Sequence, residues 1–254
     1  MRLRQLALVA ERLDPVVEDL RAVLGLGDGF ADPGVGVFGL HNAVLPVGDT
    51  FLEVVTPLER GPATAGGRFL ERRGGDGGYM VILQVGADRR RLDAARAAAE
   101  SARVRRVWDI DTEAAKAFHL HPRDVGGAIL SLDWMATEDD WLWAGPAWRS
   151  NVRTDRTRRI TGCALGSVDP ERTCALWSEL CGLAPERDGR TLCLEDGSRI
   201  RFLLPDPEPG PGLAEVDLAM ADCAAALAAA RSRGLATGPV HAVVGGTRFN
   251  LLAD

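Results

Sequence analysis

The sequence predicts an α+β protein built from four copies of one strand–helix–three-strand unit, βαβββ, set out as two domains with curved, mixed sheets. Three observations predict it. Residues 3–26, LRQLALVAERLDPVVEDLRAVLGL, align without a gap on residues 160–183, ITGCALGSVDPERTCALWSELCGL. Residues 80–100 align in the same way on 215–235, and 125–133 on 244–252. Each repeat also runs from a short apolar segment through helical apolar spacing into runs separated by turn residues, which is the pattern of one supersecondary unit copied along the chain.

The elements follow in order. LALV opens the first unit as a strand, and Val16, Val17, Leu20, Val23 and Leu24 then fall at helical spacing. Gly25 and its repeat mate Gly182 suit the left-handed position that closes a helix. In NAVLPVGDTFLEVVTP the Gly48-Asp49 pair separates two apolar runs and predicts a hairpin, and Asp196-Gly197 repeats the device in LCLEDGSRIRFLLP. VILQV opens the second unit. The glycine-rich RRGGDGGYM before it lacks the strand-to-helix setting of a phosphate loop and reads as a connection between units. The weakest strand signals lie in 101–118 and 236–244, and PDPEPGPG, 205–212, reads as a Pro-rich linker between the third and fourth units. One such unit cannot cover both faces of its sheet, so units must pair. The expected domains are 1–138 and 158–254, joined by a Trp-rich connector at 139–157. Trp134, Trp141, Trp143 and Trp148, on and beside that connector, are expected to pack as apolar anchors.

Composition limits the function. A formal net charge of -6 argues against a general affinity for nucleic acid or anionic membrane. No apolar run reaches membrane-spanning length and the first residues lack a signal-peptide pattern, so the expected location is cytoplasmic. The 5 cysteines show no C-x-x-C spacing and read as reduced, mostly buried residues. No Gly-x-Ser-x-Gly elbow or Cys/His nucleophile pair is present.

Paired βαβββ units with LxxLALV-x(4)-LDPVVEDLRAVLGL, together with HNAVLPVGDTFLEVV and HPRDVGGAILSLD, resemble the glyoxalase/bleomycin-resistance superfamily, the vicinal oxygen chelate proteins. The resemblance covers nearly the whole chain. It implies curved sheets that wrap a cup, a divalent metal held there by residues on the first and last strand of each unit, and lyase or isomerase chemistry on a small oxygen-bearing molecule.

Carried onto this chain, the resemblance puts Gln5 and Glu53 at the first two metal positions of the N-terminal cup, with Glu53 also the catalytic carboxylate. Both supply oxygen to a hard ion. Met80 and Ser131 fill the other two positions and are poor ligands, which leaves the donor set incomplete. Asp133 shares a strand face with Ser131, about 7 Å along, and is a candidate substrate-binding residue. His41 and Asn42, at the start of the hairpin strand that leads to Glu53, are candidates to hold a substrate oxygen. His119 and His121 share a face but read as polar residues at a strand start, satisfied by backbone. The C-terminal positions are Gly162, Arg201, Glu215 and Asn250, which weighs against the two-His, one-Glu iron site of extradiol dioxygenases. A metal-free protein that sequesters a small molecule in an apolar cup is the alternative to an enzyme, and a structural duplicate the third reading. A small-molecule ligand is the expected partner, and the resemblance leaves a homodimer open.

Overall fold

Apolar residues that recur with a period of two and then of 3.6 must form strands and then a helix, because only those periods bring them to one side. The computed structural model, which describes residues 1–207 and 210–254, follows this alternation throughout. The elements are β1 (Arg2–Val9), α1 (Leu13–Leu24), a 3-10 turn at Pro33–Phe38, β2 (Leu40–Val47), β3 (Thr50–Pro57) and α2 (Ala65–Arg73). Next come β4 (Gly77–Gln84), α3 (Arg90–Ser101), β5 (Arg106–Asp111), β6 (Ala115–Leu120), β7 (Ile129–Met135) and 3-10 turns at Leu142–Ala144 and Trp148–Asn151. The chain ends with β8 (Thr157–Gly166), α4 (Pro170–Cys181), β9 (Thr191–Cys193), β10 (Arg199–Leu203), β11 (Gly212–Met220), α5 (Cys223–Ser232), β12 (His241–Val244) and β13 (Thr247–Ala253). Residues 208 and 209 of the Pro-rich run lie outside the described residues.

The four repeats open with β1, β4, β8 and β11. In every one the opening strand runs parallel to the closing strand, and the closing strand runs antiparallel to the one before it. The register is also shared. Ala7 pairs with Glu53, Ile82 with Ser131, Ala164 with Arg201 and Asp217 with Asn250. Gln5, Met80, Gly162 and Glu215 each stand two residues before the first member of these pairs, and so share its face. The positions set equivalent by the sequence repeat are therefore equivalent in space. Among the described residues, the second repeat alone has all three strands after its helix. In the other three the first of them is reduced to a single bridge, Phe30 with Val44, Pro185 with Leu192 and Thr237 with Ala242.

Helix ends and turns follow the sequence closely. Gly25 has φ 69 and Gly182 φ 63, and the Gly25 N–H bonds Arg21 O at 2.9 Å. Val47 faces Thr50 across the two-residue turn, where Gly48 has φ 64. On α1, Val16, Leu20, Val23 and Leu24 are buried, each contributing about 2 kcal/mol. Asp169 and Asp222 cap α4 and α5 by accepting the N–H of Arg172 and Ala225. Helix α2 was not expected. Thr64 caps it and Gly74, at φ 74, ends it, so one glycine of RRGGDGGYM is a helix stop.

The chain forms two compact units. Unit I holds Met1–Arg4, Tyr79–Leu142 and Gly162–Ala214, and unit II holds Gln5–Gly78, Trp143–Thr161 and Glu215–Asp254. The second and third repeats thus share one unit and the first and fourth the other, whereas boundaries at 1–138 and 158–254 would keep neighbours in sequence together. Helix packing accompanies the grouping: α3 meets α4 within unit I, and α1 meets α5 within unit II. In unit I, Trp177 is fully buried, lies edge-on to Phe202 at 5.4 Å and donates its Nε1–H to Val125 O at 2.8 Å. The two tryptophans of the connector that are buried divide the same way, Trp141 in unit I and Trp148 in unit II. Among the described residues no helix is long and apolar enough to cross a membrane.

Candidate functional site

The parallel pairing of β1 with β3 and the antiparallel pairing of β2 with β3 decide what meets in unit II. Gln5, Asn42 and Glu53 all fall on one sheet face, because Ala7 and Val44 both lie opposite Glu53 and side chains alternate along a strand. Gln5 Nε2 donates to Glu53 Oε2 at 2.8 Å, and Asn42 Nδ2 donates to Glu53 Oε1 at 2.5 Å. Asn42 Oδ1 in turn accepts the Asp32 N–H at 2.9 Å. All three side chains are buried, Glu53 being 5 % exposed. Val44, Val55 and Phe51 share the face, and Trp148 lies edge-on to Phe51 at 5.0 Å.

Burial raises the Glu53 pKa above its ordinary value. The Asn42 and Gln5 hydrogen bonds pull it back, and the charge of Asp32 pushes it up again. The net direction is upward, so this carboxyl is set to gain and lose a proton closer to neutrality than a solvated glutamate. Such a group can act as general base in one step and general acid in the next.

Of the residues expected at the site, the structure gathers Gln5, Asn42 and Glu53. His41 is not among them. It lies opposite Thr56, on the other face of β2, and is exposed. A single step of strand alternation separates it from the Asn42 face. Asp133 belongs to unit I, where it is 2 % exposed and accepts the Ser131 hydroxyl at 2.5 Å. His119 is opposite Ser131 and beside the Trp108 ring at 4.5 Å, and burial pushes its pKa down to about 3. His121 accepts the Arg123 N–H through Nδ1 at 3.1 Å, as a backbone-satisfied polar residue should.

Within unit II the fourth repeat carries an echo of the first with the chemistry exchanged. The amide now sits on the closing strand and the carboxylate on the opening one. Asn250 Nδ2 donates to Glu215 Oε2 at 3.0 Å and to Asp217 Oδ1 at 2.7 Å, and Arg248 Nε donates to Asn250 Oδ1 at 3.0 Å. The sequence reading missed Asp217 and Arg248, which the two-residue period from Glu215 and Asn250 signals. A cleft of about 320 Å³ in the same unit is walled by Glu11, Pro57, Arg60, Leu70 and Glu71, with no residue of the Glu53 cluster in its wall.

A divalent metal, implied by the fold, fits these residues poorly. Both oxygens of Glu53 accept amide N–H bonds, and Gln5 and Asn42 turn nitrogen, not oxygen, toward it. Among the described residues no group of three or more His, Cys, Asp or Glu side chains could hold an ion.

Solved structures of similar fold span nearly the whole chain. A variant of 4-hydroxymandelate synthase from Streptomyces coelicolor matches 92% of this chain and 75% of its own, at 18% identity and a TM-score of 0.67. A hypothetical protein from Staphylococcus aureus matches 99% of both chains at 12% identity and a TM-score of 0.64. A methylmalonyl-CoA epimerase from Streptomyces coelicolor matches 54% of this chain and 99% of its own, at 23% identity and a TM-score of 0.45. No protein-family model and no curated protein matches the sequence. The fold is that of the vicinal oxygen chelate superfamily.

Proposed function

We propose that unit II binds a small oxygen-bearing molecule against the Gln5–Asn42–Glu53 face, and that Glu53 moves a proton on it in lyase or isomerase chemistry without a metal. The observation that carries this reading is the buried Glu53 carboxyl, raised in pKa and held by two amide donors on a face otherwise apolar. In the simplest step Glu53 takes a proton from a carbon next to a carbonyl. The C–H bond breaks, its electron pair passes into an enolate, and the proton on Glu53 returns to carbon to give the isomer. Gln5 and Asn42 keep the carboxyl oriented and favour its ionised form.

The test has two stages. A thermal-shift screen of dicarbonyl, aromatic hydroxy-acid and acyl-thioester compounds finds ligands, since a ligand that binds the native state stabilises it. Hits are then incubated with protein in D2O and followed by NMR. Wild-type protein should exchange the acidic C–H for deuterium, and Glu53→Gln should lose at least about 100-fold of that rate. Equal exchange in the variant would remove Glu53 from the reaction. A second reading, sequestration without turnover, is favoured by the apolar Phe51–Trp148 pair beside the carboxyl. Ligands that bind tightly, show no exchange and bind Glu53→Gln equally well would decide for it.

A further inference from the structure

We propose that Asn42 is a positioning residue for the Glu53 carboxyl, and that the backbone N–H of Asp32 fixes Asn42 in that role. The inference rests on the reading that Glu53 is the proton-carrying group. A primary amide has a donor end and an acceptor end, and the end that meets one partner is decided by what holds the other. Asn42 Oδ1 is taken by the Asp32 N–H at 2.9 Å, so Nδ2 is the end presented to Glu53 Oε1. Asn42 is 3 % exposed, which leaves little water to compete for either end. Turned over, the same amide would set its oxygen against a carboxylate.

The anchor is itself anchored. Phe30 and Val44 exchange backbone hydrogen bonds at 2.9 and 2.8 Å, and Asp32 Oδ1 accepts the Gly34 N–H at 2.9 Å as the cap of the Pro33–Phe38 turn. The segment after Phe30 is therefore stitched to β2 at Val44 and again at Asn42. Glu53 is gripped from β1 by Gln5 and from β2 by Asn42, and the charge of Asp32 acts on it. Asp32 thus works in two opposed ways: its charge disfavours an ionised Glu53, and its N–H holds the amide that favours it.

Opposed actions can be separated by substitution. The full chain, labelled with 13C at glutamate side-chain carboxyls, is titrated by NMR and the Glu53 signal followed. Asn42→Ala should move the Glu53 midpoint upward. Asp32→Asn removes the charge and keeps the N–H, so the midpoint should move downward. Asp32→Pro removes both, at a φ of -81 that proline accepts, so its midpoint should lie above that of Asp32→Asn. Titrations of Asp32→Pro and Asp32→Asn that coincide, or an Asn42→Ala titration that matches wild type, would overturn the proposal. If Asn42→Ala does not fold, the Asp32 pair decides alone. A role in packing only would lower stability without moving these midpoints. The readout needs no turnover: deuterium exchange absent in wild type would remove the proposed function and leave the titration result standing. With exchange present, the acid limb of its pH profile should move up in Asn42→Ala, together with the Glu53 midpoint.

Discussion

Four carboxyls of unit I and two of unit II are shifted in opposite directions. In unit I four carboxyls are displaced downward. The Arg105 guanidinium, 2.7 Å away, holds Asp124 at about 2, and Arg91 with the Met1 ammonium holds Glu195 at about 2. Asp88 and Asp188 are lowered as well, by hydrogen bonds from their neighbours. In unit II two carboxyls, Glu53 and Asp76, are raised, chiefly by burial. A lowered, half-solvated carboxyl is a permanent charge whose effect is local and structural. A raised, buried one is costly to keep and able to exchange protons, the mark of a working group. The contrast is what the proposed proton transfer by Glu53 in unit II requires.

The largest expected effects test whether each unit has a real core of its own. Phe51→Ala in unit II and Trp177→Ala in unit I each remove a fully buried ring. Each should cost about 3–5 kcal/mol in denaturant unfolding. A loss below about 1 kcal/mol at either site would mean that its ring packs loosely.

The next effect separates the carboxyls by pH. Glu53 has a raised folded pKa, so its contribution to stability is complete below its ordinary value of 4.5 and is lost as pH rises through the folded value. Wild type should therefore lose ground to Glu53→Gln, which does not titrate, as pH climbs from about 4 to 8. Asp124 behaves in the reverse sense. Its stabilising effect is present above 3.8 and disappears as pH falls through about 2. Thermal melts of wild type, Glu53→Gln and Asp124→Asn from about pH 2 to 8 should diverge at opposite ends. Parallel curves would erase the distinction between the units.

A finer comparison uses the two helix-closing glycines. Both need a left-handed backbone, so alanine at either should cost about 1 kcal/mol. A Cβ on Gly182 would meet nothing within 4 Å, whereas one on Gly25 would stand 2.9 Å from the Arg156 Cβ. Gly25→Ala should therefore be the more damaging, and equal losses would show that the 2.9 Å approach relaxes freely. The smallest effect belongs to Asp124→Asn at neutral pH. Its Arg105 partner is 58% exposed, so the pair should contribute less than about 1 kcal/mol.

Much of the fold could be read from residues that leave the backbone little choice. Gly25, Gly182 and Gly48-Asp49 marked helix stops and a hairpin, and the alignment of 3–26 on 160–183 carried the pattern to the second half. Helix α2 escaped because Gly66 and Gly67 inside it weaken any helical signal, while Thr64 supplies the cap that offsets them. The division into units escaped because packing partners are chosen by matching helix and sheet faces, and no local pattern in one repeat names its partner. At the site, Gln5 and Glu53 were legible from their places on the opening and closing strands, and Asn42 from its nearness to the hairpin. His41 and Asn42 could not be told apart, because neighbours on a strand point to opposite faces, and nothing in HN says which one turns inward. Asp32 was invisible because it acts through a backbone N–H, which every residue but proline possesses.

The sharing of unit II between the first and last repeats has a consequence for how the protein is born. A ribosome delivers the strand bearing Glu53 early, yet the part of the fourth repeat that shares its compact unit begins only at Glu215. The repeats of unit I are nearly all synthesised in between, so they can consolidate first, while the earlier stretch waits for residues 215–254 to emerge. Translation arrested just short of Glu215 should leave nascent chains with a protease-resistant middle and a vulnerable beginning.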